Sequence, residues 1–193
     1  MFLINMIDYQ EYREQFSKIL DGECNDAPYD DDRFVEYVKL NNSRTKRWER
    51  SGKLLSEVNN LIQSIREEQE WIVITEPWCG DAAHIVPFIA KMAELNANIS
   101  LKIQNRDTEK SEIDNYLTNG GRSIPKLIVR NSSKNDLFVW GPRPKEAQDL
   151  FLDQKDDSSK SATEKKAELQ SWYNKNKGEM LQREIAEHLK RII

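Results

Sequence analysis

One thiol carries the clearest chemical signal in this chain. Cys79 lies in the run Thr75-Glu76-Pro77-Trp78-Cys79-Gly80-Asp81-Ala82. The apolar stretch before it, Trp71-Ile72-Val73-Ile74-Thr75, reads as a buried strand, and a helical pattern begins just after it. At such a junction free backbone N–H groups and the positive end of the helix dipole favour a thiolate. The expected chemistry is nucleophilic: a thiol that alkylates faster than free cysteine and forms mixed disulfides. Asp81 stands close enough to oppose that thiolate, yet Asp is a preferred residue at a helix start, so capping is its expected main role.

Other reactive side chains add little. Cys24 sits in an acidic loop, Asp21 to Asp32, and is a candidate resolving thiol only if the fold brings it to Cys79. His84 is five residues beyond Cys79 and off its helical face, so a place on the exposed or rim surface is expected in preference to a general base. The two cysteines and two histidines lack metal-ligand spacing, and no metal site is expected.

The chain of 193 residues is 32% charged and 38% hydrophobic, with a net charge of -4. Its mean hydropathy is -0.78 and its isoelectric point is near 5.4. These values give no global attraction to nucleic acid or anionic lipid. No stretch approaches the roughly 18 apolar residues of a membrane span. Met1 to Ile7 is apolar without a basic flank and reads as the start of a packed helix, not a signal peptide. A cytoplasmic location is expected, where a structural disulfide is disfavoured.

Several elements must position the thiol. Tyr9, Tyr12, Phe16 and Leu20 recur at helical spacing. A second helix starts at Phe34, and the apolar positions from Trp48 to Ile65 continue a long helical pattern. After the strand at Trp71, residues Asp81 to Leu95 read as a helix containing Pro87, and Ile99 to Ile103 as a half-buried strand. One or two helical turns follow from Ser111 to Leu117. Lys126–Arg130 and Asp136–Trp140 form a hairpin, and a helix opens after Gly141-Pro142-Arg143-Pro144. The order β-α-β-α-β-β-α predicts an α/β fold with a mixed sheet flanked by helices. Asp153 to Ser161 reads as a linker. Leu169, Trp172, Tyr173, Met180, Ile185, Leu189 and Ile192 mark further helix, interrupted near Asn174 to Gly178 and expected to dock on its own domain.

Residues Trp71 to about Phe151 resemble a thioredoxin. The turn Trp78-Cys79-Gly80 ends a strand, Pro87 lies eight residues after Cys79, Ser123-Ile124-Pro125 precedes a strand, and a hairpin with a terminal helix closes the unit. The whole chain further resembles uncharacterised bacterial thioredoxin-like proteins through Trp78-Cys79-Gly80-Asp81-Ala82, Asn119 to Lys126, Trp140 to Pro144 and Trp172 to Gly178. The resemblance implies a thioredoxin-like domain at 70–152, with an N-terminal helical extension at 1–69 and a C-terminal helical tail at 153–193. It makes Cys79 the catalytic candidate in a turn with Trp78, Gly80, Asp81 and Ala82. Arg122, Ser123, Ile124 and Pro125 become the groove, with Pro125 cis opposite Cys79. Arg122 and Arg143 could frame an anion such as a glutathione carboxylate, although plain surface arginines are the commoner case.

Two departures from the family pattern bear on activity. Ala82 stands where thioredoxins carry the resolving cysteine, and Val73 stands where they carry a buried acid. Cys79 could then form a mixed disulfide but not resolve it. The leading expectation is a monothiol exchange protein in redox homeostasis, acting on protein or low-molecular-weight thiols and disulfides, with glutathione as one such partner and no cofactor. The alternative is a catalytically degenerate binding or adaptor module. Peroxide reduction is discounted, because peroxide-reducing relatives place Thr or Ser where Glu76 stands.

Overall fold

Strand β2 (Gln69–Thr75) owes its central place to a run of side chains that are buried on both faces of the sheet. The structure, a computed structural model, describes residues 6–155 and 157–193. Five strands form one sheet in the order β1-β3-β2-β4-β5, with β1 Met6–Ile7, β3 Ile99–Asn105, β4 Lys126–Asn131 and β5 Asp136–Trp140. β2 pairs parallel with β3 and antiparallel with β4, and β4 pairs antiparallel with β5. The parallel pair needs a crossover. Helix α4 (Ala82–Glu94) supplies it and starts directly after the Cys79 turn.

Helices cover this sheet. They are α1 Tyr9–Leu20, α2 Asp32–Ser51, α3 Ser56–Ser64, α5 Lys145–Lys155, α6 Ala162–Asn176 and α7 Glu179–Leu189. Capping boxes start α1 (Asp8 with Glu11) and α6 (Ser161 with Glu164), each satisfying helix-end N–H groups reciprocally. Buried Phe16, Val38, Trp48, Ile62, Leu169, Tyr173 and Ile185 join the sheet residues Trp71, Ile72, Val129 and Ile128 in one core. The C-terminal apolar stripe thus docks on its own chain. Lys177 and Gly178 both adopt left-handed conformations between α6 and α7. A Cβ at Gly178 would come within 2.6 Å of the Phe88 ring, so this turn needs glycine twice over.

Two expectations about elements are corrected. Met6 and Ile7 are an edge strand antiparallel to β3, not helix; residues 1–5 lie outside the described residues. The long helix expected through Ile65 is divided, because α2 ends at Ser51 with Gly52 as its cap and α3 starts only at Ser56. The apolar spacing continues across the break, but the helical backbone does not. The helical turn expected between Ser111 and Leu117 is present as a short 3-10 helix, Glu112–Asn115.

Candidate functional site

The Cys79 turn is held from both sides by the backbone. Cys79 N–H donates to the Glu76 carbonyl (3.0 Å), and Ala83 N–H donates to the Cys79 carbonyl (3.3 Å). Opposite it, the Ile124–Pro125 peptide is cis, as the resemblance implies. The Cys79 thiol donates to the Ile124 carbonyl at 3.5 Å. Lys126 Nζ braces that loop by donating to Thr118 Oγ1 (2.6 Å) and to the Gly141 carbonyl (3.2 Å). Gly141 has φ +113°, and a Cβ there would lie 2.4 Å from the Pro125 carbonyl oxygen. Trp140-Gly141-Pro142 and Ser123-Ile124-Pro125 are therefore one packed unit. Ser123 is half-buried beside it, and Ile124 and Pro125 are buried.

The electrostatics reverse the expectation for the thiol. Cys79 is only 6% exposed. Burial, and then the Asp81 carboxylate, push its pKa up to about 12; hydrogen bonds from Ala82 and Asp81 N–H and the charge of Arg143 pull the other way and lose. The helix N-terminus is present as expected, but desolvation outweighs it.

Asp81 does not cap the helix. Its backbone is in the right-handed helical region and its side chain makes no cap hydrogen bond, whereas an N-cap side chain needs extended backbone to reach forward. Its carboxylate instead pairs with Arg143 Nη2 at 2.7 Å and accepts from the Tyr173 hydroxyl at 2.8 Å. Both members of the ion pair are largely buried, which is tolerable because they are matched and hydrogen-bonded. Arg143 is thus no plain surface arginine. Its guanidinium lies 4.0 Å from the Phe151 ring centre.

His84 also departs from expectation: it is 2% exposed, not at the surface. Spacing from Cys79 said nothing about what packs on the rest of α4, and that helix is enclosed almost all round. Trp48 Nε1 donates to His84 Nδ1 at 2.9 Å, and His84 Nε2 meets Gln170 Oε1 at 2.6 Å. An acceptor at Nδ1 and a donor at Nε2 define the neutral tautomer. Burial accordingly pushes the imidazole down to about 3. Its ring stacks on Tyr173 with centroids 4.6 Å apart.

The remaining expected residues are placed as follows. Arg122 pairs with Asp114 (3.1 Å) and donates to the Arg106 carbonyl (3.2 Å), so its charge is already matched within the chain. Arg106 lies 4.7 Å from the Trp78 ring centre. Ala82 and Val73 are buried. Cys24 is half-buried in its loop, and both cysteines are free thiols. Glu76 is buried and accepts from Asp107 N–H (2.9 Å) and Asn105 Nδ2 (3.1 Å), and burial raises its pKa. Among the described residues no cluster of His, Cys, Asp and Glu could hold a metal ion.

The feature that sequence reasoning missed is a cavity of about 910 Å³ over the outer side of the turn. Trp78, Gly80 and Asp81 form its floor, α2 one wall, and α5 and α6 the other. Phe34, Tyr37, Leu40 and Leu169 give it an apolar lining, and Gln170 and Arg44 close in above Gly80. The signal was present in α2, where Phe34, Tyr37, Asn41 and Arg44 recur at three- and four-residue steps on one helical face. Reading it required knowing that α6 lies opposite.

A mixed sheet with a cis-proline loop facing a cysteine at the start of the crossover helix defines a thioredoxin fold. A family model described as thioredoxin matches residues 29–159, more than half of the chain, and the chain belongs to that family. Among solved structures, it is similar to a protein of unknown function from Pseudomonas aeruginosa, at 17% identity and a TM-score of 0.60, covering 97% of this chain and 100% of that one. It is also similar to an HIV epitope-scaffold, at 17% identity and a TM-score of 0.56, covering 95% and 98%. At these identities the likeness concerns the fold alone. No curated protein matches the chain. Among the described residues no helix is long and apolar enough to cross a membrane.

Proposed function

We propose that this chain is a binding module on a thioredoxin fold, with the old active-site turn serving as the floor of a ligand pocket. The observation that carries the reading is the state of Cys79: 6% exposed, with its pKa pushed up to about 12. Thiolate is the nucleophile, and reactive cysteines sit in partly exposed, electropositive places. Here the sulfur is largely buried and has an acid beside it. The residues that might have served it, Asp81, Arg143, Tyr173 and His84, are engaged with one another or with neighbouring helices. The pocket beside them is of ligand size.

Alkylation of the folded protein by iodoacetamide tests this. The expected outcome is modification of Cys79 far slower than of a free thiol at neutral pH, with Cys24 as the internal contrast. Rapid modification of Cys79 overturns the reading.

A second reading is favoured by one observation: the Asp81 and Ala82 N–H groups hydrogen-bond the sulfur, and it sits against the cis-proline loop. It is monothiol exchange. Cys79 thiolate would attack a disulfide R–S–S–R′, forming a Cys79–S–S–R bond and expelling R′–S⁻. The thiolate of a second, external thiol such as glutathione would then attack the R sulfur, forming a disulfide with R and expelling Cys79 as its thiolate. That reading requires the cover over Cys79 to open, and the same alkylation experiment scores it.

A further inference from the structure

The pocket has a direction and a sign. On the α2 wall, Phe34 and Tyr37 stand at one end and Arg44 at the other. Ten residues of helix separate Phe34 from Arg44, or about 15 Å at the helical rise per residue. Three large apolar side chains exposed on the surface, Tyr37, Leu40 and Phe151, border this one cavity. An apolar patch of this kind marks a place where something binds.

The charges around it do not balance. Among the described residues, Arg44, Arg143, Lys155, Lys165 and Lys166 line the pocket against a single acid, Asp81. Arg143 is matched by Asp81. Arg44 has only a neutral partner among the described residues, Asn41 Oδ1 at 2.9 Å. Lys166 likewise donates to the Tyr37 hydroxyl at 2.9 Å. This excess of positive charge stands out on a chain whose net charge is -4. A half-buried cation without a counter-charge is costly, and an incoming anion relieves it.

We propose that this pocket binds a free anionic amphiphile, with its apolar body along Phe34, Tyr37, Leu40 and Leu169 and its negatively charged head at Arg44. The inference rests on the binding-module reading and names its ligand class. Gly80 is the floor on which the ligand lies. A Cβ there would lie 3.8 Å from Gln170 Nε2 and 3.9 Å from Arg44 Nη1, so alanine fits and a longer side chain projects into the cavity.

Calorimetric titration of the full chain with laurate and with dodecylammonium, which share one tail and differ in the sign of the head, tests it. Laurate is expected to bind one-to-one, and dodecylammonium about ten-fold or more weaker, as expected of electrostatic complementarity. Arg44→Met is expected to weaken laurate while leaving the circular dichroism spectrum unchanged; Gly80→Leu should abolish binding. Equal affinity for the two heads, laurate binding that survives Gly80→Leu, or attachment only to phosphatidylglycerol vesicles overturns the proposal. If Cys79 is inert and laurate does not bind, the binding reading stands and this ligand class is wrong. If Cys79 alkylates rapidly, the binding reading falls, and this inference with it.

Discussion

Cys79 and Gly80 are adjacent in the chain, yet the two sides of their turn are built on opposite terms. On the thiol side space is closed and the buried polar groups are matched: Asp81 pairs with Arg143 and Tyr173, and the neutral His84 lies between Trp48 and Gln170. On the glycine side a cavity is open, and among the described residues Arg44 and Lys166 hold only neutral partners. The comparison teaches that a reactive motif is made by its surroundings as much as by its residues. The same helix start that would activate an exposed thiol leaves a covered one protonated.

The sharpest way to break the closed side is Asp81→Ala. It leaves the Arg143 guanidinium buried without its carboxylate, and loss of one member of a buried pair costs roughly 3–5 kcal/mol. A urea denaturation midpoint reads this. The same change is expected to lower the Cys79 pKa, since Asp81 is the second cause of its elevation, but not to the value of a free thiol, because burial is the first.

Acid is the next lever. The His84 imidazole is held neutral, with its pKa pushed down to about 3 from 6.5. A depressed pKa means that its contribution to stability is present above pH 6.5 and is lost as pH falls toward 3. The loss is on the order of a few kcal/mol. His84→Gln removes this titration, so the variant's stability should vary less than the parent's across that window in denaturation at stepped pH.

Tyr173→Phe is a smaller break. It deletes one hydrogen bond to an ionised carboxylate and keeps the ring stacked on His84, so a cost of about 1–2 kcal/mol is expected in thermal or urea unfolding. Gly80→Ala should be smallest, within about 0.5 kcal/mol of the parent, because its methyl group meets only ordinary contacts. A large loss there would mean that the glycine side is not open as described.

Much of this could be read in advance, and the reasons are specific. The strand Trp71–Thr75, the hairpin after Pro125 and the crossover helix follow from local periodicity, which the sequence carries directly. Ala82 and Val73 were visible because single positions in a known pattern can be checked one by one. The burial of Cys79 and His84 was not visible. It is set by α2 and α6, elements about 90 residues or less from the turn in sequence but in contact with it in space, as the Tyr173–Asp81 and Trp48–His84 bonds show. Arg143 was misread for the same reason: its carboxylate partner lies far away in the chain. A pocket made by two walls from opposite ends of the sequence leaves each wall looking like an ordinary amphipathic helix.

The most direct measurement is the titration of Cys79 itself, by the pH dependence of its alkylation rate followed by mass spectrometry. With its pKa raised from 9.0 to about 12, the thiol is expected to remain protonated through neutral pH and to react far more slowly there than an unperturbed one, with the rate still climbing above pH 9. A rate that levels off below pH 8, faster than free cysteine at neutral pH, would contradict the account: the thiol would be a working nucleophile, and the turn an active site after all.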